Sequence, residues 1–488
     1  MLKILIEKEL KAILLSPKFV VTFSVCSLLI LLSVFVGIQE YKAAVAQYDA
    51  VNQLAEQELR EQTSLMGLST RVHRQPDPMQ IFVSGVHYDI GRLSAIHPFL
   101  ALKLTNSVYS DDPIFAAFRF IDFSFIVQIV LSLFAILFTY DAISGERESG
   151  MLKLNFSNAV PRARYVITKF VGAWLGLVVP LLIPILMGLL LIVISGVPLT
   201  TEHWAKILLL LAAALLFFTF FVALGLLVSA LTRHSSVSFL VSLVLWVFLV
   251  LIVPRAAVMA AGQVVQVPSI AEIESQQDGF AKALWQSHSD DLTVRWRQRE
   301  AEMAGLSREE RAAYRDEHLW EWMEEEDAAR KGTQSAINEH SLKLQEELRN
   351  RKAGQERLAF SLSRISPVSA LQLAAMNAAG TNIDLKSRYE DAMQNYRAQF
   401  IDYREKKQED SGGHGGLRIE FNTDTGFKFD LGRDKGTLNL SDMPKFDPPK
   451  YPMSVAVEST TVDLGLLALY TLLTFAGAFA AFLRYDLR

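Results

Sequence analysis

Along this chain the apolar positions gather into six uninterrupted runs, with polar segments between them. Phe19–Ile38 holds twenty uncharged residues between Lys18 and Glu40. Phe123–Tyr140 holds eighteen between Asp122 and Asp141. Phe170–Thr201 carries no charge, and 170–196 of it is assigned as the third span. Runs 207–232, 235–254 and 464–483 follow and stop at Arg233, Arg255 and Arg484. A helix rises ~1.5 Å per residue, so ~20 residues cross a ~30 Å hydrocarbon core. The pattern predicts an all-α polytopic membrane protein with six transmembrane helices. The first run is too long for the apolar part of a cleaved leader, and no A-x-A-like site directly follows it, so it reads as a span.

The polar segments divide as follows. Residues 1–18 precede the first span and read as a helix on the membrane surface: Leu2, Ile6, Leu10, Ile13 and Leu14 share one face, with Lys8 and Lys11 opposite. Lys3 interrupts that face and Glu9 sits at its edge; a plain lead-in to the span is the alternative. Segment 39–122 begins with helical composition from Ala43 to Leu65, then meets Pro76, Pro78, Gly85 and Gly91. Segment 255–463, between spans five and six, is long enough for a large, mainly helical (α+β) domain. Within it, 271–363 favours helix, with Trp285, Trp296, Trp320 and Trp322 as packing anchors. The acidic run Glu324–Asp327 reads as a solvated helix face. A second helical stretch covers 380–410. Leu417–Phe421 and Phe427–Leu431 alternate like the strands of a hairpin. Pro444, Pro448, Pro449 and Pro452 stiffen the approach to the last span.

Charge sets the orientation. With the N-terminus inside, the inner segments carry 12 Lys/Arg in 54 residues, against 8 in 89 for the short outer ones. By the positive-inside rule both termini and the loop 141–169 are cytoplasmic, and 39–122 and 255–463 are extracytoplasmic. Composition narrows the chemistry. The net charge of −4 gives no basic face for nucleic acid. One cysteine, Cys26, excludes an intramolecular disulfide framework and a cysteine zinc cluster. No G-x-x-x-x-G-K-[ST] loop occurs, so this chain binds no ATP by a P-loop. Ser411–Gly415 superficially resembles the signature loop of ABC ATPases, but without a P-loop it reads as a flexible turn. His318 lacks a second histidine at zinc spacing. No catalytic residue, metal site or cofactor is assigned to the chain.

The six runs contain no Asp, Glu, Lys, Arg or His, which disfavours a self-driven, ion-coupled transporter. Gln128 is the polar exception, with an interhelical hydrogen bond as its expected role. Pro180 and Pro184 are expected to kink the third span, and Gly172 and Gly176 have the G-x-x-x-G spacing of close helix packing. The most distinctive segment is the inner loop 141–169. It holds Ile143, Glu146, Glu148, Gly150, Leu152, Pro161 and Arg164, a charged, partly apolar element compact enough to dock a soluble partner.

That loop resembles the type-2 ABC exporter (ABC-2) permeases. Their coupling helix between the second and third spans follows Ile-x-x-Glu-x-Glu-x-Gly-Thr-Leu, with a Pro-x-x-Arg element and a Lys before the next span. Ile143, Glu146, Glu148, Gly150, Leu152, Pro161, Arg164 and Lys169 fit that pattern; Met151 stands where Thr is frequent. Glu7, Glu9 and Lys11 look like part of the family's connecting helix. Ile365–Leu371 and the ending Leu483–Arg488 are similar to a subgroup with a large extracytoplasmic domain of unknown function. The resemblance implies a permease subunit in the bacterial inner membrane, paired with a second copy or a paralogue. It also implies separate ABC ATPase subunits that bind ATP and Mg and dock on the residues just named, with Glu148 the strongest candidate. Neutral spans suit an amphipathic or lipid-like substrate. Two alternatives share the sequence: ATP-driven mechanotransmission to an envelope protein without transport, and an envelope scaffold with no ATPase.

Overall fold

The structure is a computed structural model that describes residues 2–62, 65, 68–96, 104–107, 121–157, 161–410, 417–422, 426–431 and 438–484. The first helix, α1, covers Leu2–Leu14. Ser16 then caps α2, Pro17–Arg60, by accepting a hydrogen bond from the Phe19 amide, with Pro17 in the first turn, where its missing N–H costs nothing. The 44 residues of α2 carry the first apolar run and continue without a break into the polar stretch beyond Ala43. β1 (Thr70–His73) pairs antiparallel with β2 (Leu93–Ile96), Thr70 opposite Ile96 and His73 opposite Leu93. Between them lies a 3₁₀ turn, Pro78–Ile81, capped by Asp77.

The second run forms α3. It starts at Phe123–Phe125 with Asp122 as cap, passes through a π-helical segment Ile126–Leu131 and ends as Ser132–Thr139. Two short helices follow in the loop 141–169, α4 (Ser144–Glu148) and α5 (Met151–Ser157). α6 is Arg162–Ile194 and runs through both Pro180 and Pro184. α7 is Thr201–Leu231, opened by a capping box between Thr200 and His203. α8, Ser235–Val247, passes into a second π-helical segment, Phe248–Ile252. Next come α9 (Val253–Val264), α10 (Ile270–Glu302) and α11 (Arg308–Ser363). α12 is Pro367–Ala379 and α13 is Asp384–Asp410. β3 (Leu417–Asn422) and β4 (Gly426–Leu431) form the expected antiparallel hairpin. The last helix, α14, is Met453–Leu483.

Six helices are long and apolar enough to cross a membrane, in the six places the apolar runs mark. The protein is an all-α polytopic membrane protein with little strand. The helices outrun the apolar runs, so charge enters at their ends: Lys206 near the start of α7 and Asp463 in α14 are both buried. α3 and α7 form the centre, with 67% and 56% of their most apolar stretch buried, against 28% or 33% for α2 and α6 and 17% for α14. Accordingly α6 exposes Ile183, Leu186 and Leu190, and α14 exposes Leu472 and Leu473. Apolar faces of this kind on a spanning helix are faces for lipid or another spanning helix.

Gln128 corrects one expectation. Its amide donates to Ser124 Oγ, 2.9 Å away on its own helix. The bond between helices is made instead by Trp246 of α8, whose indole N–H donates to Ser132 Oγ of α3 at 2.8 Å.

The chain divides into two compact units, 1–252 with 366–488, and 253–365. The segment 255–463, expected as one domain, is therefore split between them. The reason is apolar: α12 buries Val368, Ala370, Leu371, Ala374 and Ala375 in the same core as the spans. At ~1.5 Å per residue its 13 residues cover roughly 20 Å, too short to span alone. It is closed by Ser366 at its start and by Gly380, φ +72°, at its end. In the same unit α13 buries Tyr389, Met393, Tyr396 and Phe400 with Val72 and Ile96 of the small sheet in a second core.

The unit 253–365 is built on α9, α10 and α11. Arg299 lies over the rings of Trp296 and Trp322, 5.4 and 4.8 Å from their centroids, and its guanidinium meets Glu325 at 2.5 Å. The acidic run is thus only partly a solvated face: Glu325 also meets Arg295, and Glu326 meets His288. Trp320, expected as an anchor, is 77% exposed.

Candidate functional site

The loop 141–169 is held by partners on five helices, α1, α6, α7, α8 and α14. At the start of α4 the amides of Ile143 and Ser144 have no partner within the helix, and Ser229 Oγ of α7 accepts from both at 3.0 Å. Ile143 itself is buried with Leu152, Tyr165, Val166, Leu226, Ala230 and Phe482 in a small core of its own. This core anchors α4 and α5 beneath α6, α7 and α14.

Glu146 is the polar centre of the loop. Its Oε1 meets Lys169 Nζ at 2.6 Å, and its Oε2 accepts from Tyr165 OH at 2.6 Å and Asn155 Nδ2 at 2.9 Å. Lys169 simultaneously meets Glu9 Oε1 of α1 at 2.7 Å, and Lys8 Nζ lies 3.9 Å from Glu146. The Lys169 side chain is 6% exposed and its two carboxylates 16% and 18%. Two acids and two bases, Lys8 among them, leave the cluster close to neutral. That is what allows charge to sit so deep, because an uncompensated ion there costs several kcal/mol. The cluster ties the loop (Glu146), α6 (Lys169) and α1 (Glu9) into one piece.

Sterics complete the junction. A Cβ on Gly172 would stand 2.6 Å from Glu9 Cβ, and one on Gly176 would touch Leu10 and Ile13 at 3.4 Å. The G-x-x-x-G spacing in α6 is thus the seat of α1, and the absence of side chains brings Glu9 within reach of Lys169. At the other end of the loop Tyr165 stacks on Phe482 at 5.1 Å, and Arg162 donates to the Leu483 carbonyl at 2.9 Å.

The other residues singled out in the sequence lie outward. Glu148 is exposed and caps α8: its Oε2 accepts from the Ser235 amide at 3.2 Å and from Ser235 Oγ at 2.9 Å. His234 Nδ1 lies 3.7 Å from its Oε1. Arg147, on the next position round the helix, donates to the Thr232 carbonyl at 3.4 Å. Gly150 has φ +75° between α4 and α5, a left-handed turn that a side chain would strain. Beyond it Met151 and Leu154 are 41% and 58% exposed, and Lys153 is exposed too. Pro161 caps α6 with ψ 134°, and Arg164 in its first turn is exposed. The structure therefore brings Ile143, Glu146 and Leu152 inward and leaves Glu148, Gly150, Pro161 and Arg164 at the surface. Sequence reasoning did not connect Glu9 to Lys169, and it missed Tyr165, Asn155 and Ser229. Glu9 was visible as a charged blemish at the edge of an apolar face and in the connecting-helix resemblance, but with no link to Lys169. Residues 158–160 and 485–488, part of the motif loop and of the family-like tail, lie outside the described residues, as does Ser411–Gly415.

Six helices fit to cross a membrane, with a structured loop between the second and third, define a multi-pass membrane protein. A family profile described as ABC-2 family transporter protein matches residues 3–487, and the chain belongs to that family. Membership makes it a membrane component, the permease part, of an ABC transporter, with an ABC ATPase as its general partner. A search of curated proteins finds no match.

Proposed function

We propose that this chain is the permease subunit of an ABC exporter and that its loop 141–169 receives the motion of a separate ATPase. The observation that carries the reading is the Lys169 cluster. It makes α4, α1 and α6 a single lever, so a push on the loop is delivered to the third span. Glu148, Met151, Lys153 and Leu154 stand on the outer surface of that lever, a mixed apolar and charged patch suited to a protein partner. Ile143, Leu152 and Glu146 hold its shape from within.

The charge bias favours a cytoplasmic loop and cytoplasmic termini in a bacterial inner membrane, with 39–122 and 255–463 on the far side. ATP and Mg belong to the ATPase pair. A second copy or a paralogue packs on the exposed apolar faces of the spans, and lipid covers the rest. ATP binding closes the ATPase pair, the two loops move together, and the spans shift against those of the partner permease to export an amphipathic substrate.

The test is coupling. In the reconstituted complex, Glu148→Ala is expected to abolish the permease's effect on ATPase rate while Lys153→Ala does less. Glu148→Gln separates the two roles of this carboxylate, because it keeps an acceptor for the α8 cap and loses the charge. Docking through the charge requires that Gln fail like Ala. Wild-type coupling in Glu148→Ala would remove Glu148 from the interface.

A further inference from the structure

The outward part of α2 and the sheet β1–β2 enclose a pocket of ≈ 260 Å³ that the coupling scheme does not use. Five cationic or basic side chains line it: Arg71, His73, Arg74, His87 and Arg92. No Asp or Glu does so among the described residues. Arg71 is answered by Glu58 at 3.3 Å, and Arg92 reaches Gln47 at 2.7 Å and the Asn106 carbonyl at 3.2 Å. Arg74 is different. It is 5% exposed, and among the described residues its two terminal nitrogens meet His87 alone, Nδ1 at 3.2 Å and the carbonyl at 2.5 Å. Its Nε and the Nε2 of His73 are buried and have no hydrogen-bond partner among the described residues.

A buried guanidinium met only by neutral groups is costly, and an oxyanion is the ligand that repays it. Gln47, Tyr48 and Asn106 add neutral polar groups, and Val51, Leu54 and Ala55 on α2 form an apolar stretch of the wall. We propose that this pocket binds the anionic head of an amphipathic molecule, a phosphate or carboxylate on Arg74, with an apolar stem along α2. A wider groove of ≈ 670 Å³ shares Tyr48, Ala55, Arg71 and His73 and gives such a stem a way out. This site stands independently of the ATPase and of the coupling loop.

The experiment is calorimetric titration of the full chain in phosphatidylcholine nanodiscs with hexyl phosphate, inorganic phosphate and neutral hexyl glucoside. Hexyl phosphate is expected to bind saturably and roughly tenfold more tightly than phosphate, as burial of a short alkyl chain allows, and hexyl glucoside not at all. Arg74→Gln should weaken hexyl phosphate by about tenfold or more. Ala55→Phe keeps every charge and fills the apolar side, so it should weaken hexyl phosphate even if Arg74→Gln fails to fold. Equal affinity for phosphate and hexyl phosphate would assign the site to the free anion and overturn the amphipathic ligand. No saturable binding, equal binding of hexyl glucoside, or unchanged affinity in folded Arg74→Gln or Ala55→Phe would overturn the proposal.

Discussion

Lys169 shows how a residue written into a transmembrane helix serves the aqueous loop beside it. Two carboxylates lie 2.6 and 2.7 Å from its ammonium, one from the loop and one from α1. Lys169→Met should therefore cost about 3 kcal/mol or more, because Glu9 and Glu146 would face one another without their cation. A thermal melt of the purified chain reads this as a lowered midpoint. Adding Glu9→Gln to Lys169→Met should recover part of the loss, whereas a mere packing defect would add to it. His87 supplies a pH prediction. Burial, and after it the charges of Arg74 and Arg92, hold its pKa well below 6.5. The unfolded chain then takes a proton that the folded chain refuses. Its contribution to stability is full above about pH 6.5 and is lost as pH falls through that value towards the folded pKa. Melting at pH 7.5 and at pH 5.5 should show the drop, and His87→Gln should flatten it. Neither network was legible in advance. Glu9 and Lys169 are 160 positions apart, and nothing in either flank names the other. The resemblance named Glu9, Glu146 and Lys169 separately, and the misfit of Glu9 on an amphipathic face hinted at a partner, but neither joined them.

Helices were legible where length and uniform apolarity spoke together, which is why all six spans fall where the runs are. The β3–β4 hairpin was legible from the alternation of Leu417–Phe421 and Phe427–Leu431, a few residues apart in sequence. The pair β1–β2 was not, because its strands have four residues each and pair across an intervening 3₁₀ turn. α12 was missed as a core element, since its 13 alanine-rich residues fall short of a span and carry no charge pattern. Gln128 was read as a link between helices because only its polarity was visible; the local geometry of α3 satisfies it at Ser124. The π-helical segments of α3 and α8 also leave no mark on an apolar run. The G-x-x-x-G element was legible as a contact, but its partner, α1, was not. Gly172→Leu should drive α1 from its seat, since the added atoms start 2.6 Å from Glu9 Cβ. A cysteine at position 13, buried in the parent, with Cys26 replaced, should then react slowly with a thiol reagent in the parent and readily in Gly172→Leu. Equal labelling in both would show that α1 is not seated on this glycine.

On the scale of the molecule the account joins two facts. The chain belongs to the ABC-2 family along residues 3–487. Its loop 141–169 is locked to the third span and to the amino-terminal helix through Lys169 and the two glycines. On the proposed reading this lever is pushed by the ATPase, and its exposed surface around Met151 is where the push is expected. The most direct measurement places a photo-crosslinking amino acid at Met151, and in a second protein at Trp320, in cells that also express the chain's ABC ATPase. Light should join the chain to the ATPase from position 151 and not from position 320. A crosslink from 320 alone, or none from 151 in a complex that still assembles, would contradict the account.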